Sequence, residues 1–234
     1  MAYDMGVYSD SVRARATRNV LTSAKPRLAA GKAVIYPGLG KRIFDLTFVV
    51  AISVPVLVVV AIIALLVALD GRSPFYVQDR VGRHGKVFRM LKLRSMVADA
   101  DQVLASYLAL NPLARAEWDR DQKLRNDPRV TWVGRLIRKT SLDELPQFLN
   151  VLKGDMSVVG PRPMMCNQKD MYPGAEYFEM RPGITGAWQT SARNESSFRE
   201  RAAYDSDYFY KLSLLTDVKI VLRTFGVVMR ATGY

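Results

Sequence analysis

The chain has 234 residues, a formal net charge of +12, one cysteine and one histidine. A lone Cys166 excludes an internal disulfide framework and a multi-cysteine metal site, and a lone His84 argues against zinc centres and Ser/His/Asp machinery, so chemistry falls to carboxylates with arginine and lysine as partners. The length fits one domain of ordinary size, and the positive charge suits a polyanion: nucleic acid, an anionic membrane surface or a phosphate-rich substrate.

Residues 1–40 are basic and poor in pattern, with Pro26 and Pro37 as breakers, and read as an N-terminal arm that is flexible or lies on a surface. The segment 41–70 carries a 24-residue run without a charged side chain, Leu46 to Leu69. As a helix it reaches roughly 36 Å, enough to cross a hydrocarbon core, and it begins too late and runs too long for a cleaved signal peptide. This run demotes nucleic acid as a partner in favour of membrane lipid. Lys41 and Arg42 precede it, and Arg72, Arg80, Arg83 and Lys86 follow it, so both flanks have the charge of a cytoplasmic face. A re-entrant helix-break-helix reconciles the two flanks. Pro55 removes one backbone donor near the middle of the run and Ser53 can take up part of the freed hydrogen-bonding demand; an ordinary kinked transmembrane helix is the alternative. Asp45, just inside the apolar edge, is either an interfacial anchor or a partner for Lys41 or Arg42.

Residues 71–234 form the remaining domain. Two β-prone runs flank the turn formers Gly82 and Gly85 and predict a hairpin. Helical spacing follows over 97–124, interrupted by Pro112, then over 132–139 and 145–153. Glycine and proline recur from Gly154 to Arg193, which predicts loop-rich structure. The apolar tail 214–229, with Lys219, Arg223 and Arg230 interspersed, is either an amphipathic surface helix or a core helix. The expected fold class is therefore α/β and helix-rich, with small β-hairpin elements and one membrane helix that is re-entrant or spanning.

The densest chemistry lies between Arg138 and Pro163. Asp143 and Glu144 follow Ser141 and precede an apolar helical pattern, so a capping box of Ser141 with Glu144 is one reading. With Pro146 starting a helix near Leu145, the other reading makes the helix mouth an anion site beside Arg138 and Lys139, where Mg²⁺ is shared between a carboxylate and substrate phosphates and the second carboxylate attacks phosphorus. Arg162, fixed between Pro161 and Pro163, is a pre-positioned phosphate or nucleotide contact or a surface arginine in a turn. Arg181-Pro182-Gly183 repeats that theme. Asp127-Pro128-Arg129 reads as a turn with an exposed arginine, His84 as a surface residue, and Cys166 as a small buried residue.

At these residues the chain resembles a known family. KRIFDLTFVV, RVGRHGKVFRMLKLRSM, LRNDPRVTWVGRLIRKTSLDELPQFLNVLKGDMSVVGPRP, RPGITGAWQTSARN and YDSDYFYKLSLLTDVKIVLRT look like the bacterial sugar transferases, the polyprenyl-phosphate phosphoglycosyl transferases. The resemblance implies a monotopic enzyme of the inner (cytoplasmic) membrane with its catalytic domain on the cytoplasmic face. It implies that Asp143 attacks the β-phosphate of a UDP-sugar, that Glu144 and Asp143 hold Mg²⁺, that Arg138 holds a phosphate, and that Arg162 contributes to the nucleotide side. It also implies a break of the membrane helix at a Ser-Pro pair, here spaced as Ser53-Val54-Pro55. The missing additional transmembrane helices resemble the small type, and the segment around NPLARAEWDRDQKL resembles the branch transferring galactose or glucose 1-phosphate to undecaprenyl phosphate for exopolysaccharide synthesis. An N-acetylated aminosugar, a homo-oligomer, and a non-enzymatic basic binding or scaffold protein at the membrane stay open at this point.

Overall fold

The computed structural model describes residues 36–121, 124–191 and 198–229. Most of the arm expected over 1–40, together with Arg193 and Arg230, lies outside that set. Residues Tyr36–Gly40 form a π-helical turn that leads into helix α1, Lys41–Ala68. The break expected at Ser53 and Pro55 is corrected, because α1 continues through Pro55. Proline costs the ladder a single bond, and the long apolar turns on either side propagate the helix across it. The Ser53 hydroxyl donates to the Val50 carbonyl at 2.9 Å rather than to that of Ala51, which Pro55 leaves without its amide donor.

Both ends of α1 pack on the rest of the protein. At its start Arg42 donates to the carbonyls of Val151 and Leu152 at 2.6 and 2.8 Å, the end of a short helix where a cation is favoured. Val49 enters the main core. At its finish Ile63 and Val67 pack with Leu93 and Ile137, and Arg94 donates to the Val67 carbonyl and clamps Asp70 bidentately at 2.6 and 2.7 Å. Between these anchors Val50, Val54, Leu57, Val58, Ile62 and Leu65 are exposed, Val54 and Leu65 by 71% and 72%. The helical stretch Tyr36–Ala68 is long and apolar enough to cross a membrane.

The expected hairpin is present as β1 (Phe75–Val81) and β2 (Val87–Leu93), antiparallel, with Val81 opposite Val87. His84 and Gly85 take the positive φ that the tight turn demands. Helices α2 (Ala100–Leu110) and α3 (Pro112–Asp121) follow. Pro112 opens α3, a position where its absent N–H costs nothing. Next comes α4, Trp132–Lys139, with Thr131 accepting from the Gly134 amide at 2.9 Å as its N-cap. A 3₁₀ turn, Leu142–Gln147, and α5, Phe148–Lys153, come after it.

Strand β4 (Met164–Met165) adds to β1, while β3 (Ser157–Val159) and β5 (Gly183–Thr185) form a two-stranded parallel sheet. A 3₁₀ turn (Cys166–Met171) and α6 (Glu176–Glu179) lie between them in sequence. The glycine recurrence is explained here. A Cβ on Gly160 would stand 2.4 Å from the Arg181 carbonyl, one on Gly183 2.1 Å from the Gly160 amide, and one on Gly186 2.1 Å from the Gly160 carbonyl. Only glycine permits this interlock, which fixes the chain on both sides of Arg162. Three helices close the chain: α7 (Ala187–Ser191), α8 (Phe198–Tyr210) and α9 (Leu214–Met229). The two readings of α9 are both realised, one on each face. Asp217, Ile220 and Val221 are buried, while Leu215, Leu222 and Phe225 are exposed.

A buried polar cluster joins α1, β3, α8 and α9. Lys41 Nζ lies 2.7 Å from Asp217 and 3.7 Å from Asp45; Tyr36 and Tyr208 each donate to Asp217 at 2.6 Å. Asp45 accepts from the Ser157 hydroxyl and the Val158 amide, both at 2.9 Å. Asp45 is thus a partner of Lys41 and a tie to β3, and Arg42 goes elsewhere. Two other expectations are corrected. Cys166 is exposed, since it follows an edge strand of only two residues. Arg129 is largely buried, paired with Asp127 at 2.6 Å and set 5.1 Å from the Trp118 ring, where stacking covers its stem.

Candidate active site

The two adjacent carboxylates sit on the 3₁₀ turn, above the inward face of the hairpin. Strand alternation puts Phe88, Met90 and Lys92 on one face of β2. Phe88 and Met90 are buried. Lys92 takes the third place on that face and reaches both carboxylates, with Nζ 2.8 Å from Glu144 Oε1 and 3.7 Å from Asp143 Oδ2. Asp143 is 8% exposed. Burial raises its pKa above the ordinary aspartate value; Lys92 opposes that, the Glu144 charge adds to it, and Arg138 opposes it. The net effect is a carboxyl whose pKa lies above the ordinary aspartate value, with Lys92 and Arg138 limiting the rise.

Neither helix expectation at this turn is met as stated. Ser141 adopts φ 58°, ψ 20° and its side chain makes no capping bond, so the capping box does not form. Ser141 instead terminates α4, its amide donating to the Arg138 carbonyl at 3.1 Å. The helix begins at Phe148 rather than near Leu145, and Pro146 lies inside the 3₁₀ turn, whose tighter winding accepts it. The carboxylates are therefore displayed by a 3₁₀ turn anchored behind a left-handed residue, not by the mouth of an α-helix.

Arg138 points back to the hairpin, its Nε donating to Ser95 Oγ at 2.9 Å, and burial lowers its pKa while Asp143 opposes that. This contact depends on Gly134, where a Cβ would stand 1.9 Å from the Ser95 carbonyl. Arg162 lines a narrow cleft together with Arg80, Met90, Lys92, Glu144 and Gln189. Arg80 Nη1 donates to the Pro163 carbonyl at 3.3 Å and Nη2 to Gln78 at 2.5 Å. Burial, with Arg162 adding to it, lowers the pKa of Arg80 to about 10, so it stays cationic at neutral pH. The cleft thus brings one carboxylate, one lysine and two arginines together, with buried Asp143 joined to it through Lys92, a set suited to a substrate rich in phosphate.

The sequence matches the family model described as bacterial sugar transferase over residues 36–231. The chain belongs to the bacterial sugar transferase family. It is 47% identical over 195 residues to the UDP-galactose-lipid carrier transferase of Erwinia amylovora, covering 82% of this chain and 41% of that protein. It is 46% identical over 198 residues to the undecaprenyl-phosphate galactose phosphotransferase of Salmonella typhimurium, covering 82% and 42%. With the exopolysaccharide production protein ExoY of Rhizobium meliloti it shares 45% over 202 residues, covering 84% and 88%. The chain thus spans less than half the length of the first two relatives and most of the third.

In this bacterial sugar transferase, Asp143 and Glu144 share Lys92, Arg138 acts electrostatically on Asp143, and Glu144 and Arg162 line the cleft. Lys139, the last residue of α4, is exposed to solvent. Arg181 is elsewhere, donating from Nε to the Gly154 carbonyl at 2.9 Å. Sequence reasoning missed Lys92 and Arg80. The signal for Lys92 was available, as a lysine at the inward register of a strand whose other inward residues are apolar. The pair also fits a divalent cation. Among the described residues no three His, Cys, Asp or Glu side chains converge, but Mg²⁺ needs only one or two carboxylates when substrate phosphates supply the rest, and this pair already holds a cationic group.

Proposed function

We propose that the protein transfers a hexose 1-phosphate, galactose or glucose, from a UDP-sugar to undecaprenyl phosphate, initiating an exopolysaccharide or related glycan. The observation that carries this is a buried, cation-flanked carboxylate sharing Lys92 with Glu144 at the edge of a phosphate-suited cleft, within a chain whose relatives are named for that transfer. A UDP-glucose:undecaprenyl-phosphate glucose-1-phosphate transferase of Caulobacter vibrioides, 38% identical, favours glucose as the second candidate sugar.

In the proposed mechanism an Asp143 oxygen attacks the β-phosphorus. The bond from that phosphorus to the bridging oxygen breaks, and UMP leaves with the electron pair. A phosphate oxygen of undecaprenyl phosphate then attacks the same phosphorus, giving the lipid diphosphosugar and regenerating the Asp143 carboxylate. Lys92 keeps Asp143 ionised and screens Glu144, while Arg80 and Arg162 orient the phosphates. Asp143 and Glu144 would hold Mg²⁺, which when bound neutralises phosphate charge.

The proposed setting is the cytoplasmic face of the inner membrane, with α1 entering and leaving by one face. The support is that both ends of α1 pack on the same domain while its middle is apolar and exposed. A spanning helix would carry Ala68 to the opposite side, tens of ångströms from Leu93 and Ile137. A cysteine engineered in residues 1–30, in a Cys166→Ser background, should resist membrane-impermeant maleimide in intact cells; labelling from outside would refute the monotopic arrangement.

Function itself is tested by UMP release in the presence of undecaprenyl phosphate across a panel of UDP-sugars. UDP-galactose or UDP-glucose should give release. Release with an N-acetylated aminosugar alone would redirect the sugar assignment. Salt-sensitive nucleic-acid binding with no release from any donor would favour a binding module instead.

A further inference from the structure

Gln189 makes no hydrogen bond that serves the fold. Its side chain lines the cleft, the residue is 8% exposed, and neither Oε1 nor Nε2 finds a hydrogen-bond partner among the described residues. Asn150, equally buried, shows what a structural amide does here: it donates to the Arg89 carbonyl at 2.8 Å and accepts from the Leu91 amide at 3.0 Å. A buried amide with both bonds unmade is a cost to the protein unless a ligand completes them.

Strand register places Gln189 along the cleft. Lys92 lies opposite Tyr76 and Phe88 opposite Arg80, four residues apart, on the order of 13 Å of strand. Asp143 and Glu144 are at the Lys92 end. Arg162 is at the Arg80 end, through the contact of Arg80 with Pro163. Gln189 is also at that end, because Gly186, three residues before it, packs against Gly160, two residues before Arg162. The cleft therefore runs from the carboxylates to the arginines and the amide. With phosphorus under attack at Asp143 and the diphosphate drawn along the arginines, the part of a nucleotide donor that reaches Gln189 is its base.

We infer that Gln189 reads the pyrimidine base of the nucleotide donor, its carbonyl accepting the ring N3–H of uracil and its NH₂ donating to the adjacent exocyclic carbonyl. An amide matches this edge because it offers one donor beside one acceptor. The inference rests on the donor assignment proposed above.

The test uses the full chain in detergent, with UMP as the probe in calorimetric titration and thermal unfolding recorded beside it. Gln189→Leu should weaken UMP binding by roughly tenfold to a hundredfold, while the Tm of the ligand-free protein holds or rises, since an unpaired polar group has been removed. Gln189→Glu should also weaken UMP binding, because an ionised carboxylate can accept the N3–H but sets an acceptor against the exocyclic carbonyl; UMP binding unchanged in this variant would likewise overturn the inference. UMP binding unchanged in Gln189→Leu overturns the inference; if the KM for the UDP-sugar rises meanwhile, the amide contacts the sugar instead. A lowered Tm of the ligand-free protein together with lost UMP affinity in Gln189→Leu assigns the residue a structural role and also overturns it. If the unaltered protein neither binds UMP nor releases it from any UDP-sugar, the donor assignment fails first.

Discussion

The chemistry of Asp143 is governed by three neighbours. Burial raises its pKa, Lys92 lowers it, and Glu144 raises it, in that order of size. In the proposed mechanism the attacking form is the ionised one, so activity is expected to decline as pH falls through the pKa of Asp143, with an acid limb above the ordinary aspartate range. Removing Lys92 removes a lowering influence, so the pKa rises further and the limb moves to higher pH. Lys92→Met should show that displacement in a kcat/KM profile, with a loss on the order of a hundredfold at neutral pH. A uniform loss without displacement would show that Lys92 acts on substrate alone. Asp143, Glu144 and Arg138 were singled out in sequence by the ordered motifs of the family resemblance, because the residues alone left a capping box open. Arg80 and Gln189 were not, because their placement comes from strand pairing and from the Gly160, Gly183 and Gly186 interlock, neither of which leaves a local mark.

Among the elements, the hairpin and α4 follow their sequence signals closely, since turn formers, alternation and helical spacing all act locally. The turn at Leu142–Gln147 does not. Its Ser-x-x-Glu pattern signals a capping box, but Ser141 is consumed in ending α4, so tertiary context overrides the local rule. Pro55 makes the same point within α1, where one lost backbone bond is insufficient to end a helix whose two ends are held by side chains. The cluster of Lys41, Asp45 and Asp217 is what fixes α1 to the domain. Asp217 is fully buried, and it answers Lys41 and two tyrosines at once. Asp217→Asn should destabilise the protein by about 3 kcal/mol, because it leaves a buried lysine poorly compensated, lowering Tm by about 10 °C. Tyr208→Phe removes one hydrogen bond only and should cost about 1 kcal/mol. Equal Tm values for the two variants would show that the charge pair is not what holds α1.

The whole molecule joins an exposed apolar surface to a phosphate-suited cleft. The exposed apolar residues of α1 and of α9 face outward, whereas Lys92, Arg80 and Arg162 gather around the carboxylates. Composition foretold this division through an uncharged run and a net charge of +12, but it could not show that α1 returns to the domain at both ends. That return is long-range packing of Val67 with Leu93 and Ile137, and no local pattern encodes it. It bears on the proposed reaction, in which a lipid acceptor and a water-soluble donor are to meet at one phosphorus. The central claim is that Asp143 carries the sugar phosphate between them. The most direct measurement incubates the protein with a radiolabelled UDP-hexose in the absence of undecaprenyl phosphate, followed by acid quench and peptide mapping. Label released by added undecaprenyl phosphate, located on the peptide holding Asp143 and absent from Asp143→Asn, is the result the account predicts. An Asp143→Asn protein that still acquires label or turns over would contradict it.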